Sequence, residues 1–89
     1  MIYEIVFSAG AIKDLKIIHH KDQLKIIDKI ELLKDNPFPK GCVKLKTNIE
    51  SLYRIRRGNY RVLYHVDSGI NIIDIRRIGH RKDIYQTDI

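Results

Sequence analysis

At 89 residues, with 44% hydrophobic residues and a net charge of +6, the chain has the size and composition of one globular domain, residues 1–89. No stretch approaches the ~18 apolar residues of a membrane-spanning helix, and no basic segment leads into a long apolar run at the start, which argues against membrane insertion or secretion. Because the single cysteine, Cys42, cannot form an internal disulfide, we expect a cytoplasmic protein.

The N-terminal residues predict a strand followed by a helix. Ile2–Phe7 is rich in β-branched and aromatic residues, which is typical of a strand. Ser8 is a suitable N-cap, because its hydroxyl can accept a hydrogen bond from the first backbone N–H groups of a helix. Apolar residues then recur at helical spacing through about His19, at Ala11, Ile12, Leu15 and Ile18.

A second helix is predicted after a loop at His19-His20. Asp22 is its candidate N-cap, and the helix must end near Asn36 because two prolines follow. One face of this helix carries Leu24, Ile27, Ile30 and Leu33, with Ile26 beside them. Two helices joined so closely form a hairpin whose apolar faces need a sheet to cover.

Two alternating runs, Leu52–Arg57 and Tyr60–Val66, flank Gly58-Asn59 and predict a tight β-hairpin. With Arg57 opposite Tyr60, the period of two sorts the other side chains onto two faces. The face suited to the helices carries Tyr53, Ile55, Val62 and Tyr64, and the opposite face carries Arg54, Arg56, Arg61, Leu63 and His65. Two arginines directly opposite each other destabilise a hairpin, which favours an anion-binding surface over the alternative, a solvated basic face.

A last strand is predicted at Ile70–Ile78, after a turn at Asp67-Ser68-Gly69. It has apolar residues on both faces, which is typical of an interior position in a sheet. The chain then becomes basic up to Arg81, and a short polar tail carries Tyr85.

Positive charge is concentrated in the second half of the chain. Residues 1–39 contain six lysines and six acidic residues, whereas residues 40–89 contain eleven basic and five acidic residues and so carry the whole +6. All seven arginines lie between Arg54 and Arg81. Because guanidinium groups match phosphate geometry, the second half is the candidate surface for nucleic acid.

The candidate residues fit cleavage of RNA better than metal or nucleotide chemistry. No residue spacing is typical of a metal site, and there is no glycine-rich phosphate loop, so no metal and no cofactor are expected. RNA cleavage needs help to deprotonate the ribose 2′-hydroxyl, to stabilise the phosphorane and to assist the leaving oxygen. The candidates are Arg54, Arg56, Arg61, Arg81, His65, His80, Tyr85, Lys44 and Lys46. Each residue alone also fits a structural or surface role, and the clustering favours a site.

Several segments, in this order and spacing, resemble RelE-type toxins of the RelE/ParE superfamily. The most specific are Leu52-Tyr53-Arg54-Ile55-Arg56, Tyr60-Arg61-Val62-Leu63-Tyr64 and Ile78-Gly79-His80-Arg81-Lys82-Asp83-Ile84-Tyr85, supported by Ala11-Ile12-Lys13-Asp14-Leu15, Asp35-Asn36-Pro37 and Val43-Lys44-Leu45-Lys46. The resemblance implies an α+β fold of the microbial ribonuclease type, in which two N-terminal helices pack on a small, largely antiparallel β-sheet. The implied order along the chain is β-α-α-β-β-β with a short C-terminal tail or helix.

The resemblance also implies a function: cleavage of messenger RNA in the ribosomal decoding site by attack of the 2′-hydroxyl, with a cognate antitoxin as protein partner. In this assignment Arg61 stabilises the transition state, Arg81 assists the leaving group, and Tyr85 stacks on a base or orients the nucleophile. The implied substrate-binding residues are Arg54, Arg56, Lys44, Lys46 and His80.

Two questions stay open at this level. Some relatives carry lysines where this chain has Arg54 and Arg56, and arginine cannot readily lose a proton, so the general base could be Tyr85, His65, His80 or solvent. The ParE branch shares the fold but inhibits DNA gyrase without nuclease activity. Retention of Arg61, Arg81 and Tyr85 together favours the nuclease over this alternative. A third alternative, an inactive copy that still binds its antitoxin, stays open.

Overall fold

The structure, a computed structural model, describes residues 2–45 and 51–81. Its elements in chain order are β1 (Glu4–Phe7), α1 (Ala9–Lys16), α2 (His20–Glu31), a 3-10 turn (Leu32–Lys34), β2 (Val43–Leu45), β3 (Leu52–Arg57), β4 (Tyr60–Asp67) and β5 (Ile72–His80). Two helices packed on one sheet confirm the predicted α+β class. The difference is β2, a strand absent from the predicted order, which at three residues is too short to show an alternating pattern.

The five strands form one sheet in the order β1-β5-β4-β3-β2. Only β1 and β5 pair in parallel, and the other three pairs are antiparallel, as the prediction of a largely antiparallel sheet requires. The last strand, β5, lies between β1 and β4, which confirms its predicted interior position. No helix within the described ranges is long and apolar enough to cross a membrane.

The predicted N-cap of α1 is confirmed, whereas that of α2 is wrong. The Ser8 hydroxyl accepts from the Ala11 N–H at 3.4 Å. His19, rather than Asp22, caps α2, and its Nδ1 accepts from the Lys21 N–H at 3.3 Å. Asp22 lies in the first turn, where a carboxylate is also favourable because it faces the positive end of the helix dipole.

The buried face of α2 is rotated from the predicted one. Ile26, Ile30 and Leu33 are buried at 0%, 1% and 0% exposure, whereas Leu24 is 52% exposed. Positions 26, 30 and 33 follow the i, i+4, i+7 spacing as well as the predicted set does, so periodicity alone could not choose between the two stripes. Docking onto β3 selects the stripe that contains Ile26.

The hairpin of β3 and β4 has the predicted register at every pair, from Arg57 opposite Tyr60 to Tyr53 opposite Tyr64. Gly58 has a φ of +62°, which the first central residue of a type II′ turn requires and which glycine adopts without strain. The side chains predicted to face the helices do so, and they pack with residues of β5 in one core. Its sheet members are Ile55, Val62, Tyr64, Ile73, Ile75 and Ile78.

Tyr64 links the centre of this core to the loop after α2. Its side chain is fully buried, and its hydroxyl donates to the Pro37 carbonyl at 2.7 Å and contacts the Cys42 sulfur at 3.3 Å. Burial, more than the Cys42 contact, raises the pKa of the Tyr64 phenol well above its usual value.

We expect Tyr64→Phe to lower the free energy of unfolding at neutral pH by about 1–3 kcal/mol, because the buried Pro37 carbonyl loses its donor. The raised pKa means that the folded state keeps the phenol neutral, so the wild type should lose stability as the pH rises above 10.0, the usual pKa of the unfolded tyrosine. Urea unfolding at neutral and alkaline pH should show the gap between the two proteins narrowing. A gap that widens with pH would contradict this role.

Candidate functional site

Three arginines meet on the side of the hairpin that faces away from the helices, and we call Arg54, Arg56 and Arg61 the arginine face. Arg56 lies directly opposite Arg61, and Arg54 lies opposite Leu63. Side chains so paired have Cβ atoms about 4.5–5.5 Å apart, and diagonal neighbours are about 7–8 Å apart. Guanidinium groups on these positions can therefore reach one anion together.

Burial on the arginine face is unusual for a side of the sheet on which neither α1 nor α2 packs. Arg61 and Leu63 are each 5% exposed, Arg54 is half-buried and Arg56 is exposed. The Arg61 Nη1 donates to the Tyr60 carbonyl at 3.4 Å. A cation in such a place acts through a lower effective dielectric than one in water, so its attraction for a phosphate is stronger.

A β-bulge changes the alternation of side chains in β5 ahead of Arg81. Tyr64 pairs with Ile75 but Leu63 pairs with Arg77, so Arg76 is an extra residue in β5. After this residue the alternation reverses, and Gly79 lies opposite Arg61. Arg81 follows the end of β5, where its backbone lies beside the turn of the hairpin. Its N–H donates to the Asn59 carbonyl at 2.9 Å, which continues the β4–β5 pairing past His80.

The N-cap of α1 and a carboxylate in its second half hold this end of β5 in place beyond the last residue of β1. The Ser8 hydroxyl donates to the Arg76 carbonyl at 3.0 Å. The Asp14 carboxylate accepts from the Ile78 N–H at 2.9 Å and from the Arg77 guanidinium at 2.8 and 3.2 Å. These bonds to Asp14 raise the pKa of Arg77. Asp14 is thus a positioning residue for the strand that carries Arg81.

We expect Asp14→Ala to lower the free energy of unfolding by about 1–3 kcal/mol, because a half-buried backbone N–H and the Arg77 charge both lose their acceptor. Urea unfolding followed by circular dichroism measures this loss. The matched control is Asp28→Ala, which removes an exposed carboxylate from α2 and should change the stability by less than about 0.5 kcal/mol. Equal effects of the two changes would show that Asp14 does not anchor β5.

His80 lies apart from the arginines. It pairs with Tyr60, on the helix side of the sheet, with the two ring centroids 5.9 Å apart. Both residues line a polar cleft of about 400 Å³ together with Asp22 and Arg57. Burial, and then the Asp22 carboxylate, raise the pKa of Tyr60. The bulge in β5 thus leaves His80 on the helix side, away from the arginine face.

Of the remaining predicted residues, Lys44 lies away from the arginine face. Lys44 pairs with Tyr53 in β2, so its exposed side chain lies on the helix side at the edge of the sheet. Lys46 and Tyr85 lie outside the described residues. From the predicted set, the register therefore puts Arg54, Arg56 and Arg61 on one face, and Arg81 follows the end of β5.

His65, one of the possible general bases named from the sequence, lies near the arginine face. It pairs with Leu52 in β3 and with Asp74 in β5, and it lies on the same side of the sheet as the arginine face. Its Nδ1 lies 2.9 Å from the Ser51 carbonyl. The alternation of β4 predicts its side but not this hydrogen bond, which depends on the chain leading into β3.

Comparisons with known proteins show the family to which the chain belongs. The sequence matches the family model described as "ParE toxin of type II toxin-antitoxin system, parDE" over residues 5–85. The RelE1 protein of Methanocaldococcus jannaschii is 34% identical over 97% of this chain and 98% of its own length. Toxin RelE of Mycobacterium tuberculosis is 31% identical over 94% of this chain and 87% of its own length.

Solved structures show the same fold. The archaeal RelE–RelB complex from Pyrococcus horikoshii contains a chain that is 25% identical, with a TM-score of 0.79 over 94% of this chain and 100% of the other. The family match spans nearly the whole sequence, and the relatives match it end to end. The chain therefore belongs to the RelE/ParE superfamily, as a toxin of a type II toxin–antitoxin system.

Proposed function

We propose that this toxin is a ribosome-dependent endoribonuclease that cleaves messenger RNA in the decoding site and so inhibits translation. The observation that carries the proposal is the position of Arg61, almost fully buried on the outer side of the sheet and directly opposite Arg56. Like charges directly opposite each other in a sheet cost stability. A phosphodiester bound by Arg54, Arg56 and Arg61 turns that cost into binding.

The proposed roles follow the positions of the residues on the arginine face. Arg54, Arg56 and Arg61 bind the scissile phosphate, and Arg61 stabilises the charge that develops on the phosphorane. Arg81, at the end of β5, stabilises the leaving 5′-oxygen. Tyr85 remains predicted to stack on a base or to orient the 2′-hydroxyl. Lys44, Lys46 and His80 remain predicted contacts to more distant parts of the RNA.

The second proposed partner is a cognate antitoxin, expressed with the toxin in the cytoplasm. It is supported by the similarity to the toxin chain of the RelE–RelB complex from Pyrococcus horikoshii. An antitoxin that inhibits by blocking the arginine face should present acidic side chains to it. It would either neutralise the arginines or displace the C-terminal residues.

Inhibition of DNA gyrase is the competing function. It is favoured by the description of the matching family as ParE toxins. The relatives at 34% and 31% identity bear the RelE name instead. A gyrase inhibitor would use this fold to bind a protein and would have no need for a buried arginine opposite another arginine.

Primer-extension mapping of messenger RNA on programmed ribosomes, beside a gyrase supercoiling assay, separates the two functions. The proposal predicts new RNA ends at decoding-site codons, no cuts in RNA without ribosomes, and unchanged supercoiling. Intact messenger RNA together with lost supercoiling would overturn the proposal in favour of gyrase inhibition. Intact messenger RNA with normal supercoiling would overturn both.

A further inference from the structure

We infer that His65 is the general base of the proposed RNA cleavage, a role that rests on the proposed function. The choice among the possible bases was open from the sequence. Two features of the structure favour His65: its place beside Arg54 on the outer side of the sheet, and the hydrogen bond that fixes its imidazole.

The first feature is the position of His65 relative to the phosphate-binding arginines. Arg54 lies opposite Leu63, so His65 and Arg61 are its two diagonal neighbours along β4. Each diagonal separation is about 7–8 Å, which a side chain of arginine can span. A phosphate bound at Arg54 would therefore have an imidazole on one side and the Arg56–Arg61 pair on the other.

This order along the strands suits an in-line reaction. The attacking and leaving oxygens lie on opposite sides of the phosphorus atom, so the base and the group that assists the leaving oxygen must also lie on opposite sides. By register, His65 and the backbone of Arg81 lie toward opposite ends of β4, with Arg54 and Arg61 between them.

The second feature is the tautomer of the imidazole. The Nδ1 atom lies 2.9 Å from the Ser51 carbonyl, and a carbonyl can only accept, so Nδ1 carries a proton. In the neutral ring the other nitrogen, Nε2, then carries the lone pair. The backbone that leads into β3 thus holds the ring in the form that a general base needs.

His80 is the weaker candidate on the same grounds. It lies on the helix side of the sheet, where its ring contacts Tyr60 rather than the arginines. A base must come within hydrogen-bond reach of the 2′-hydroxyl, and a group across the sheet cannot do so.

The proposed step balances as a transesterification. The His65 Nε2 takes the proton of the 2′-hydroxyl while the 2′-oxygen forms a bond to phosphorus. The bond from phosphorus to the 5′-oxygen breaks, and the leaving oxygen, stabilised by Arg81, takes a proton from water. The products are a 2′,3′-cyclic phosphate and a 5′-hydroxyl, and no oxidant, reductant or hydrolytic water is consumed.

Charged groups face His65 from both neighbouring strands. Arg54 faces it from β3, and Arg61 lies further along its own strand. From β5, Asp74 lies directly opposite, and its carboxylate is bound by the Arg76 guanidinium at 2.9 Å.

The test uses three variants of the full chain in single-turnover cleavage of messenger RNA on programmed ribosomes. His65→Asn keeps a donor where Nδ1 was, so it can retain the bond to Ser51 while it removes the base. His65→Gln keeps a polar group near the position of Nε2. The matched control is His20→Gln, which changes an exposed histidine at the start of α2. Circular dichroism melting of each variant reports whether the fold is intact.

We expect both His65 variants to cleave about 10²–10⁴-fold more slowly than the wild type and the control, which is the usual contribution of a general base. The wild-type rate should rise with pH, because a general base acts in its deprotonated form, and this slope should disappear in His65→Asn. A purely structural role would lower the rate without changing this slope.

Two outcomes would overturn the inference. If the wild type cleaves and a folded His65→Asn keeps both its rate and its pH slope, His65 is not the base, although the proposed function stands. If the wild type cuts no messenger RNA on ribosomes that a known endoribonuclease of this type does cut, the proposed function fails and the role of His65 fails with it.

Discussion

Arg61→Ala should lower the single-turnover rate of messenger RNA cleavage on programmed ribosomes by about 10²–10³-fold, the effect typical of removing one donor that stabilises transition-state charge. Arg61 is 5% exposed, so its charge is less screened by water than that of the exposed Arg56. Arg61→Lys separates charge from geometry. Lysine keeps the charge but lacks the planar fork, so we expect it to restore only part of the rate.

The matched control for this experiment is Arg57→Ala. Arg57 belongs to the same hairpin and carries the same charge, but it pairs with Tyr60 on the helix side of the sheet and is exposed. Arg57→Ala should change the cleavage rate by less than about threefold. The exposed Arg57 charge lies on the other side of the sheet, so water and salt screen its interaction with the bound phosphate. Equal losses for Arg57→Ala and a folded Arg61→Ala would show that net charge, rather than the arginine face, determines activity.

Ile26→Ala should have the largest effect on stability, a loss of about 2–5 kcal/mol in the free energy of unfolding. The Ile26 side chain is fully buried between α2 and the sheet, so truncation leaves a cavity that the neighbouring side chains fill only in part. Domains of this size are marginally stable, at the low end of about 5–15 kcal/mol. A large fraction of the Ile26→Ala molecules should therefore be unfolded at about 37 °C.

Leu24→Ala is the companion change, made two residues away on the same helix. Leu24 is 52% exposed, and alanine favours helices at least as well as leucine, so we expect a change below about 1 kcal/mol. Urea unfolding of both variants at neutral pH measures the difference. A larger loss for Leu24→Ala than for Ile26→Ala would mean that α2 packs on the face predicted from periodicity and not on the one described above.

The β3–β4 hairpin and α2 show which parts of the fold could be predicted from the sequence and which could not. The hairpin register could be predicted because Gly58-Asn59 fixes the turn and the alternation on both sides is strict. The face of α2 could not be predicted, because two overlapping apolar stripes fit the same helical period and only contact with the sheet distinguishes them.

The candidate site, like the fold, could be predicted from the sequence only in part. The three arginines of the hairpin follow from the register, so their common face was correctly predicted. The side of the sheet that His80 occupies depends on one extra residue, Arg76, in β5. The sequence marks this bulge weakly, because the buried isoleucines change from a spacing of two, Ile73 and Ile75, to a spacing of three at Ile78. The anchors of the bulge, Ser8 and Asp14, are distant in sequence.

The chemistry of the RNA ends made on programmed ribosomes tests the central claim most directly. Messenger RNA incubated with the wild-type toxin should carry a 2′,3′-cyclic phosphate upstream of each decoding-site cut and a 5′-hydroxyl downstream, because the 2′-hydroxyl is the proposed nucleophile. Ends with a 5′-phosphate and a 3′-hydroxyl would show attack by water instead. That result, or messenger RNA left intact, would contradict cleavage by the arginine face.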